Sequence, residues 1–348
     1  MPSSLHTHSY MSLLDGFSSP EENLKRASEL GLKAVAITEH GEVTSWPYYS
    51  ELKDKYPNVK LLYGIEAYEC EDREVKDKNS KYWHLIIIAK NEAGRQAVNR
   101  LSTLGHLHGF YSRPRITKED IAKEDTNNLI ILSACLASRL SRTDDYDTCV
   151  KLVQEYKSLF PHYYLEVQAH ANSEQAKYNQ KIMRLANDTH TKVVVTNDVH
   201  AATKEDLYYQ DYFLRIAHDT ETAAEIYEGC YFMSREEQHE VLDSQIGYDA
   251  AEWCINNTDE IADLCDYVDM PWHEPELPKI EIPPQYSNSA AYLKDLVKEG
   301  WKKRGIDKFY VEKQKIYRKR VDDELFVIEK KDFCDYFLIV CSDCSLSS

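Results

Sequence analysis

Ser4-Leu5-His6-Thr7-His8 ends in two histidines two residues apart, so in extended backbone both imidazoles point the same way and can share a metal ion. The construction recurs down the chain. Ala34-Val35-Ala36-Ile37-Thr38 runs into His40, Leu61-Leu62-Tyr63-Gly64-Ile65 into Glu66, and Leu129-Ile130-Ile131-Leu132 leads to Cys135. Tyr163-Tyr164-Leu165-Glu166-Val167 leads to His170, and Val193-Val194-Val195-Thr196 to Asp198 and His200. His84 is the exception, because it precedes its run, Leu85-Ile86-Ile87-Ile88. Seven short apolar runs, each with a metal-type ligand at one boundary, predict strands whose ends converge on a single site.

Helical patterns fill the gaps: Pro20 to Leu30 (acidic first turn, Gly31 after its end), then roughly Glu92 to Leu107, Tyr146 to Leu159 and Ser173 to Asn187. Strand alternating with helix over the first part of the chain predicts an α/β fold with a parallel sheet. Ligands spread over all the strands favour a closed β/α barrel, in which every strand end faces one mouth, over an open sheet with one switch point. Beyond His200 the chain turns helical and acidic, with helices expected over Lys204 to His218, Glu221 to Tyr227, Ser234 to Leu242 and Asp249 to Cys265. A proline-rich linker, 271–284, separates this barrel region, 1–270, from a last segment, 285–348. That segment reads as two basic amphipathic helices (Ala290 to Lys303, Val311 to Lys331) and a β-rich run, Asp335 to Val340. The basic cluster Lys302 to Arg304 and Lys313 to Arg320 reads as a solvated helix face.

With 348 residues and 43% apolar content the chain can bury a large core, and no stretch resembles a membrane span or a signal peptide. Nine cysteines, an odd number without paired spacing, fit reduced thiols in the cytoplasm. A net charge of −17 argues against gripping nucleic acid by bulk electrostatics and leaves room for a local cationic pocket.

Nine residues qualify as ligands: His6, His8, Asp15, His40, Glu66, His84, Cys135, Asp198 and His200. Imidazole, carboxylate and one thiolate form the ligand menu of zinc, with manganese or iron admitted where carboxylates dominate. Nine ligands are too many for one ion and suit three, with Glu66 able to bridge. Three divalent cations would outweigh Asp15, Glu66, Asp198 and a Cys135 thiolate, so the pocket should attract an anion. Phosphate is the natural guest, and hydroxide held by the metal ligands the natural nucleophile for phosphoester hydrolysis. A lone strand histidine is ordinarily structural; the joint pattern argues for a site. His170 is kept as a supporting residue behind the ligands, and His106, His108, His162, His190, His218, His239 and His273 are set aside.

Leu5-His6-Thr7-His8-Ser9 with Ser12-Leu13-Leu14-Asp15-Gly16, Ile37-Thr38-Glu39-His40-Gly41, Gly64-Ile65-Glu66-Ala67-Tyr68 and Thr196-Asn197-Asp198-Val199-His200 resemble the polymerase and histidinol phosphatase (PHP) domain. Gly109-Phe110-Tyr111-Ser112-Arg113-Pro114-Arg115-Ile116 and Phe333-Cys334-Asp335-Tyr336-Phe337-Leu338-Ile339-Val340 extend the resemblance, over essentially the whole chain, to the N-terminal part of C-family replicative DNA polymerases of bacteria and phages. The resemblance implies a distorted seven-stranded β/α barrel with a helical extension leading into the first strand of a palm domain. It implies three divalent metals (zinc, manganese or iron, in mixed occupancy): one on His6, His8, Glu66 and Asp198, one on Glu66, His84 and Cys135, one on Asp15, His40 and His200. It implies 3′–5′ exonuclease activity on a single-stranded or frayed DNA 3′ end. Arg113 and Arg115 become candidate phosphate contacts, and the palm, fingers and thumb and replisome subunits become partners, with no membrane role. The palm's paired aspartates have no counterpart; Asp144-Asp145-Tyr146-Asp147 reads as a helix cap. Glu39 replaces a common Asp and Ala201 a frequent aromatic, at positions that are not ligands. The alternatives are a metal-stabilised scaffold without activity and a stand-alone phosphomonoesterase.

Overall fold

The computed structural model describes residues 3–77, 80–218, 227–270 and 277–346. The chain forms two units, Met1–Met270 and Pro271–Ser348.

The first unit is a curled mixed sheet wrapped by helices. Its strands are β1 (Ala34–Ile37), β2 (Lys60–Glu69), β3 (Trp83–Ala89), β4 (Phe110–Tyr111), β5 (Arg113–Ile116), β6 (Leu129–Leu132), β7 (Tyr163–Gln168) and β8 (Val193–Thr196). β1 pairs in parallel with β2, β6 with β7, and β7 with β8. Single bridges through the N-terminal segment join the two ends of the sheet, Ser4 to Val35 and Thr7 to Val199. Ala36 N donates to Ser4 O at 2.7 Å on one side, and His8 N to Val199 O at 2.7 Å on the other. The segment 4–8, β1, β2, β3, β6, β7 and β8 therefore form a ring made of the seven apolar runs. The β4–β5 hairpin attaches outside the ring, on β2.

One strand departs from the expected parallel order. β3 is antiparallel to both β2 and β6. Its first residues thus lie at the end of the ring where its neighbours finish, which is why His84 precedes its run and still reaches the mouth.

Side chains divide by parity. Val35, Ile37, Leu61, Tyr63, Leu85 and Ile87 join the core beneath the helices, whereas Ala34, Ala36, Leu62, Ile86, Ile88, Ile130 and Leu132 form a second cluster. On β2 and β3 that second face is also the face of Glu66 and His84, by the period of two. The ring interior is thus a dry apolar plug with a polar layer above it.

The helices are α1 (Pro20–Glu29), α2 (Trp46–Leu52), α3 (Glu92–Leu107), α4 (Lys118–Ala122), α5 (Tyr146–Leu159), α6 (Ser173–Thr189), α7 (Leu207–His218), α8 (Arg235–Ile246) and α9 (Tyr248–Leu264). α1 has a capping box, Ser19 with Glu22, and a proline in its first turn. Asp145 caps α5 through its bond from Thr148 N, so that acidic run is a helix start. The helix expected over Glu221 to Tyr227 lies outside the described residues except for Tyr227, as do His273 and the first part of the linker.

The second unit contains α10 (Ser289–Lys303), α11 (Val311–Lys330) and α12 (Cys334–Leu346). Asp335 to Val340 is helical, against the strand expected from its apolar run. Cys334 and Leu338, one turn apart, are buried with Leu293, while Tyr336, Phe337 and Val340 are exposed. A contiguous apolar run of five, Tyr336 to Val340, does not distinguish strand from helix until a partner face is known.

Candidate metal centre

Eight of the nine ligands sit on or beside backbone of the ring, and Asp15 comes from the turn after the closing segment. His6 and His8 come from the closing segment, Glu66 from within β2, His84 from the start of β3, and His40, Cys135, Asp198 and His200 from the loops after β1, β6 and β8. Leu14, Ala134 and Asp198 have positive φ (60°, 62° and 50°), so three ligands lie at or beside backbone in the sparsely populated left-handed region. Gly16 is required beside Asp15, since a Cβ there would lie 2.1 Å from Ser9 O.

The nine side chains form one connected cluster. His6 Nε2 is 3.1 Å from Glu66 Oε1 and 3.0 Å from Asp198 Oδ1, and His8 Nε2 is 3.3 Å from Asp198 Oδ1 and 3.5 Å from Glu66 Oε2. Two ligands bound at about 2.0–2.1 Å in tetrahedral geometry sit roughly 3.3 Å apart, so these spacings suit one ion. His84 Nδ1 is 2.7 Å from Glu66 Oε1, with Cys135 Sγ 3.6 Å from His84 Nδ1 and 3.8 Å from Glu66 Oε1. His40 joins the groups, its Nδ1 2.5 Å from Glu66 Oε2 and its Nε2 2.9 Å from Asp15 Oδ2. His200 Nε2 is 3.6 Å from the same Asp15 oxygen.

These atoms lack ordinary partners. His6 Nε2, His8 Nε2, His40 Nδ1, His200 Nε2, Asp15 Oδ1, Glu66 Oε2 and Asp198 Oδ1 are buried with no hydrogen bond among the described residues. Buried polar atoms are normally paired, and seven orphans facing one another fit a bound cation. Four of the clusters whose donor atoms lie within 4.8 Å of one another are His6–His8–Glu66–Asp198, His40–Glu66–His84, His8–His40–His200 and Asp198–His200–Cys230.

The ring nitrogens turned away from the cluster are held. His6 Nδ1 donates to Glu166 Oε1 (3.0 Å), which also accepts from Thr196 Oγ1 (2.6 Å) and Gln168 Nε2 (3.1 Å). His8 Nδ1 donates to Ser12 Oγ (3.0 Å), which donates to Glu39 Oε2 (2.6 Å). His200 Nδ1 donates to Asp198 O (2.7 Å). Each bond leaves the Nε2 lone pair facing the cluster.

The electrostatics are those of a site that needs positive charge. Burial pushes Glu66 up, but the imidazoles of His84, His40 and His6 outweigh it and hold the carboxyl well below its ordinary range. Burial lowers His6 too, yet Asp198, Glu66 and Glu166 raise it well above its ordinary value, and His200 is raised to about 9 by Asp15 and Asp198 against its burial. His8 is driven down to about 3 by burial and by His40 and His200. Burial, with Asp198 and Glu66, pushes the Cys135 thiol up, so it ionises only beside a cation. Protons on the imidazoles balance the carboxylates where metal ions would do so, and metal binding would release them.

A cavity of about 480 Å³ opens above the cluster, lined by Asp15, His40, His84, Cys135, Asp198 and His200 among others. His6, His8 and Glu66 are fully buried beneath it. Arg113 is exposed on the β4–β5 hairpin with its guanidinium 5.5 Å from the Tyr68 ring centre; that ring packs against His40 and His84. Arg115 contradicts its assignment as a phosphate contact. It is 0% exposed, and its guanidinium donates to Gly109 O, Val75 O, Arg73 O and Ser80 Oγ, so it ties the hairpin to the preceding loop. His170 is no ligand of the cluster: its Nε2 donates to Asn197 O at 2.8 Å, beside Cys230 Sγ.

The sequence reading assigned no role at the site to five residues near it. Glu166 interrupts an apolar strand and Glu39 precedes a ligand, and a charge in either place signals a buried partner. Cys230, Tyr227 and Arg142 also line the cavity, outside the strand ends that carry the ligand pattern.

Residues 4–170 match the family model described as PHP domain, and residues 291–345 the one described as Bacterial DNA polymerase III alpha NTPase domain. DNA polymerase III subunit alpha of Treponema pallidum is 32% identical over 352 aligned positions, covering 97% of this chain and 29% of that protein. The same subunit of Aquifex aeolicus is 31% identical over 360, covering 97% of this chain and 30% of its own length. The chain thus spans less than a third of the length of these relatives. Among solved structures, histidinol phosphate phosphatase of Lactococcus lactis, complexed with zinc, L-histidinol and phosphate, aligns with a TM-score of 0.36 at 12% identity, covering 62% of this chain and 94% of that one.

Proposed function

The chain belongs to the PHP domain family and matches, over 97% of its length, the N-terminal part of DNA polymerase III alpha subunits, and from that premise we propose that its barrel hydrolyses phosphodiesters at a DNA 3′ end. The observation that carries this reading is the set of seven buried, unpartnered ligand atoms beneath an open cavity. His6, His8, Glu66 and Asp198 would hold one divalent ion, Glu66, His84 and Cys135 a second, and Asp15, His40 and His200 a third, drawn from zinc, manganese and iron. Such ions supply activation of water and neutralisation of the phosphate's charge.

The protein's own residues do the rest. Glu166 and the Ser12–Glu39 pair fix the tautomers of His6 and His8, so no rearrangement is needed when substrate arrives. The dry plug below the cluster closes the ring floor to water. Arg113, exposed above Tyr68, would contact a phosphate at the rim. The remainder of a polymerase (palm, fingers and thumb), other replisome subunits and a cytoplasmic setting are the partners and location that the relatives' name implies.

The test is a time course on a 3′-labelled single-stranded oligonucleotide, with Mn²⁺ or Zn²⁺ against chelator, beside Asp198→Ala. Metal-dependent loss of the 3′ nucleotide that vanishes in the variant is expected. No cleavage by protein whose metals are verified by elemental analysis would favour a structural role for the ions instead.

A further inference from the structure

We infer that the cavity wall formed by the β6–α5 loop and the first turn of α6 is a nucleotide subsite, in which Arg142 receives a phosphate and Gln175 accepts a hydrogen bond from a sugar hydroxyl. This deepens the proposed hydrolysis of a DNA 3′ end and rests on that reading for its place in the reaction.

Arg142 lines the same cavity as Asp15, His84, Cys135 and Asp198. It is exposed and makes no ion pair or side-chain hydrogen bond among the described residues. Other arginines of this unit are engaged: Arg139 with Glu69 and Glu71, Arg73 with Asp120, Arg95 with Glu92, Arg100 with Glu124. In a chain of net charge −17, a guanidinium left without a carboxylate at the mouth of a metal-type pocket is set to meet an anion from outside.

Gln175 supplies an independent observation. It is 0% exposed and lines the cavity, and its Oε1 is buried without a partner among the described residues. The orientation of its amide follows from its neighbour. Asn179 uses its own Nδ2 to donate to Gln168 O and Gln245 Oε1, so Asn179 Oδ1 must accept from Gln175 Nε2, at 2.9 Å. An unsatisfied buried carbonyl is destabilising, and a donor on a ligand would relieve it. α6 is 17 residues long and begins here, so its positive end also faces the cavity. Glu174, on the same wall, works against an anion, and that gives the site an internal control.

A phosphate and a hydroxyl received in one cavity fit a nucleotide with a free 3′-hydroxyl. The probes are thymidine 5′-monophosphate and inorganic phosphate, titrated calorimetrically into the Mn²⁺-loaded full chain. Arg142→Ala should weaken both by roughly 10–100-fold, the range for a hydrogen bond to a charged group. Gln175→Met should weaken the nucleotide and not phosphate, and Glu174→Gln should tighten both. Metal content by elemental analysis should match wild type in all three variants, and the melting temperature should do so in Arg142→Ala and Glu174→Gln, which separates the subsite from the ligand cluster. The proposal fails if Arg142→Ala binds both probes as wild type does, or if wild type binds neither. Failure of the hydrolysis reading looks different: oligonucleotides stay intact while nucleotide binding still depends on Arg142.

Discussion

The Ser12 hydroxyl has one proton and gives it to Glu39 Oε2, so it can only accept from His8 Nδ1. Glu39 is fully buried and also accepts from Ser9 N and Ser9 Oγ. A carboxylate two bonds removed from the ligand therefore decides which nitrogen of His8 is free. Ser12→Ala should lower metal affinity by roughly 10–100-fold, as loss of an outer partner usually does, and competition against a chelating dye would measure it. Unchanged affinity would mean that packing alone orients the ring. Asp198→Ala and His8→Ala are expected to abolish hydrolysis, whereas His190→Ala, at the exposed end of α6, should leave the rate at the wild-type value. At this scale most of the ligands were legible because they sit at the boundary of an apolar run, and their orienting partners were not, since Glu166 and Glu39 differ from ordinary strand-end carboxylates only in what they touch.

At the scale of elements, β2 carries two buried acids with opposite fates. Glu66 is held ionised by imidazoles, while Glu69, three residues on, is pushed up to about 7 by burial, against the hydroxyl of Tyr156 and the charge of Arg139. Because the folded value of Glu69 is raised, the unfolded chain loses that proton first. Its contribution to stability is complete below the ordinary carboxyl value and is lost as pH rises through 7. Glu69→Gln should therefore gain stability over wild type by about 2 kcal/mol more at pH 8 than at pH 5, read from urea unfolding at the two pH values; an equal shift at both would refute the assignment. Elements were legible where period and boundary agreed, as in α1 with its Ser19–Glu22 box. They were not where direction or partner decided: the reversal of β3, seen only as a misplaced His84, and α12, whose apolar run resolves as a helix only once Leu293 is opposite it.

At the scale of the whole molecule, the cluster's charge and the ring's closure lie on the same residues. Removing metal should lower the melting temperature of residues 1–270, because binding energy at the cluster is then folding energy. Hydrogen exchange before and after chelation should show faster exchange in β1, β2 and β8 and unchanged rates in α10 and α11, which belong to the other unit; equal protection throughout would mean that the ring stands without ions. The bridge from Thr7 to Val199 also has a kinetic side. The segment that closes the ring is synthesised first and must wait for β8, so the decisive contact is among the most distant in sequence and the slowest to find by chance. His6 and His8 wait with it, already spaced to hold an ion. An ion captured by that pair early, and by Asp198 and His200 when they emerge, would draw the first strand to the last, and the cell's supply of metal would then set how fast this barrel folds as well as what it does.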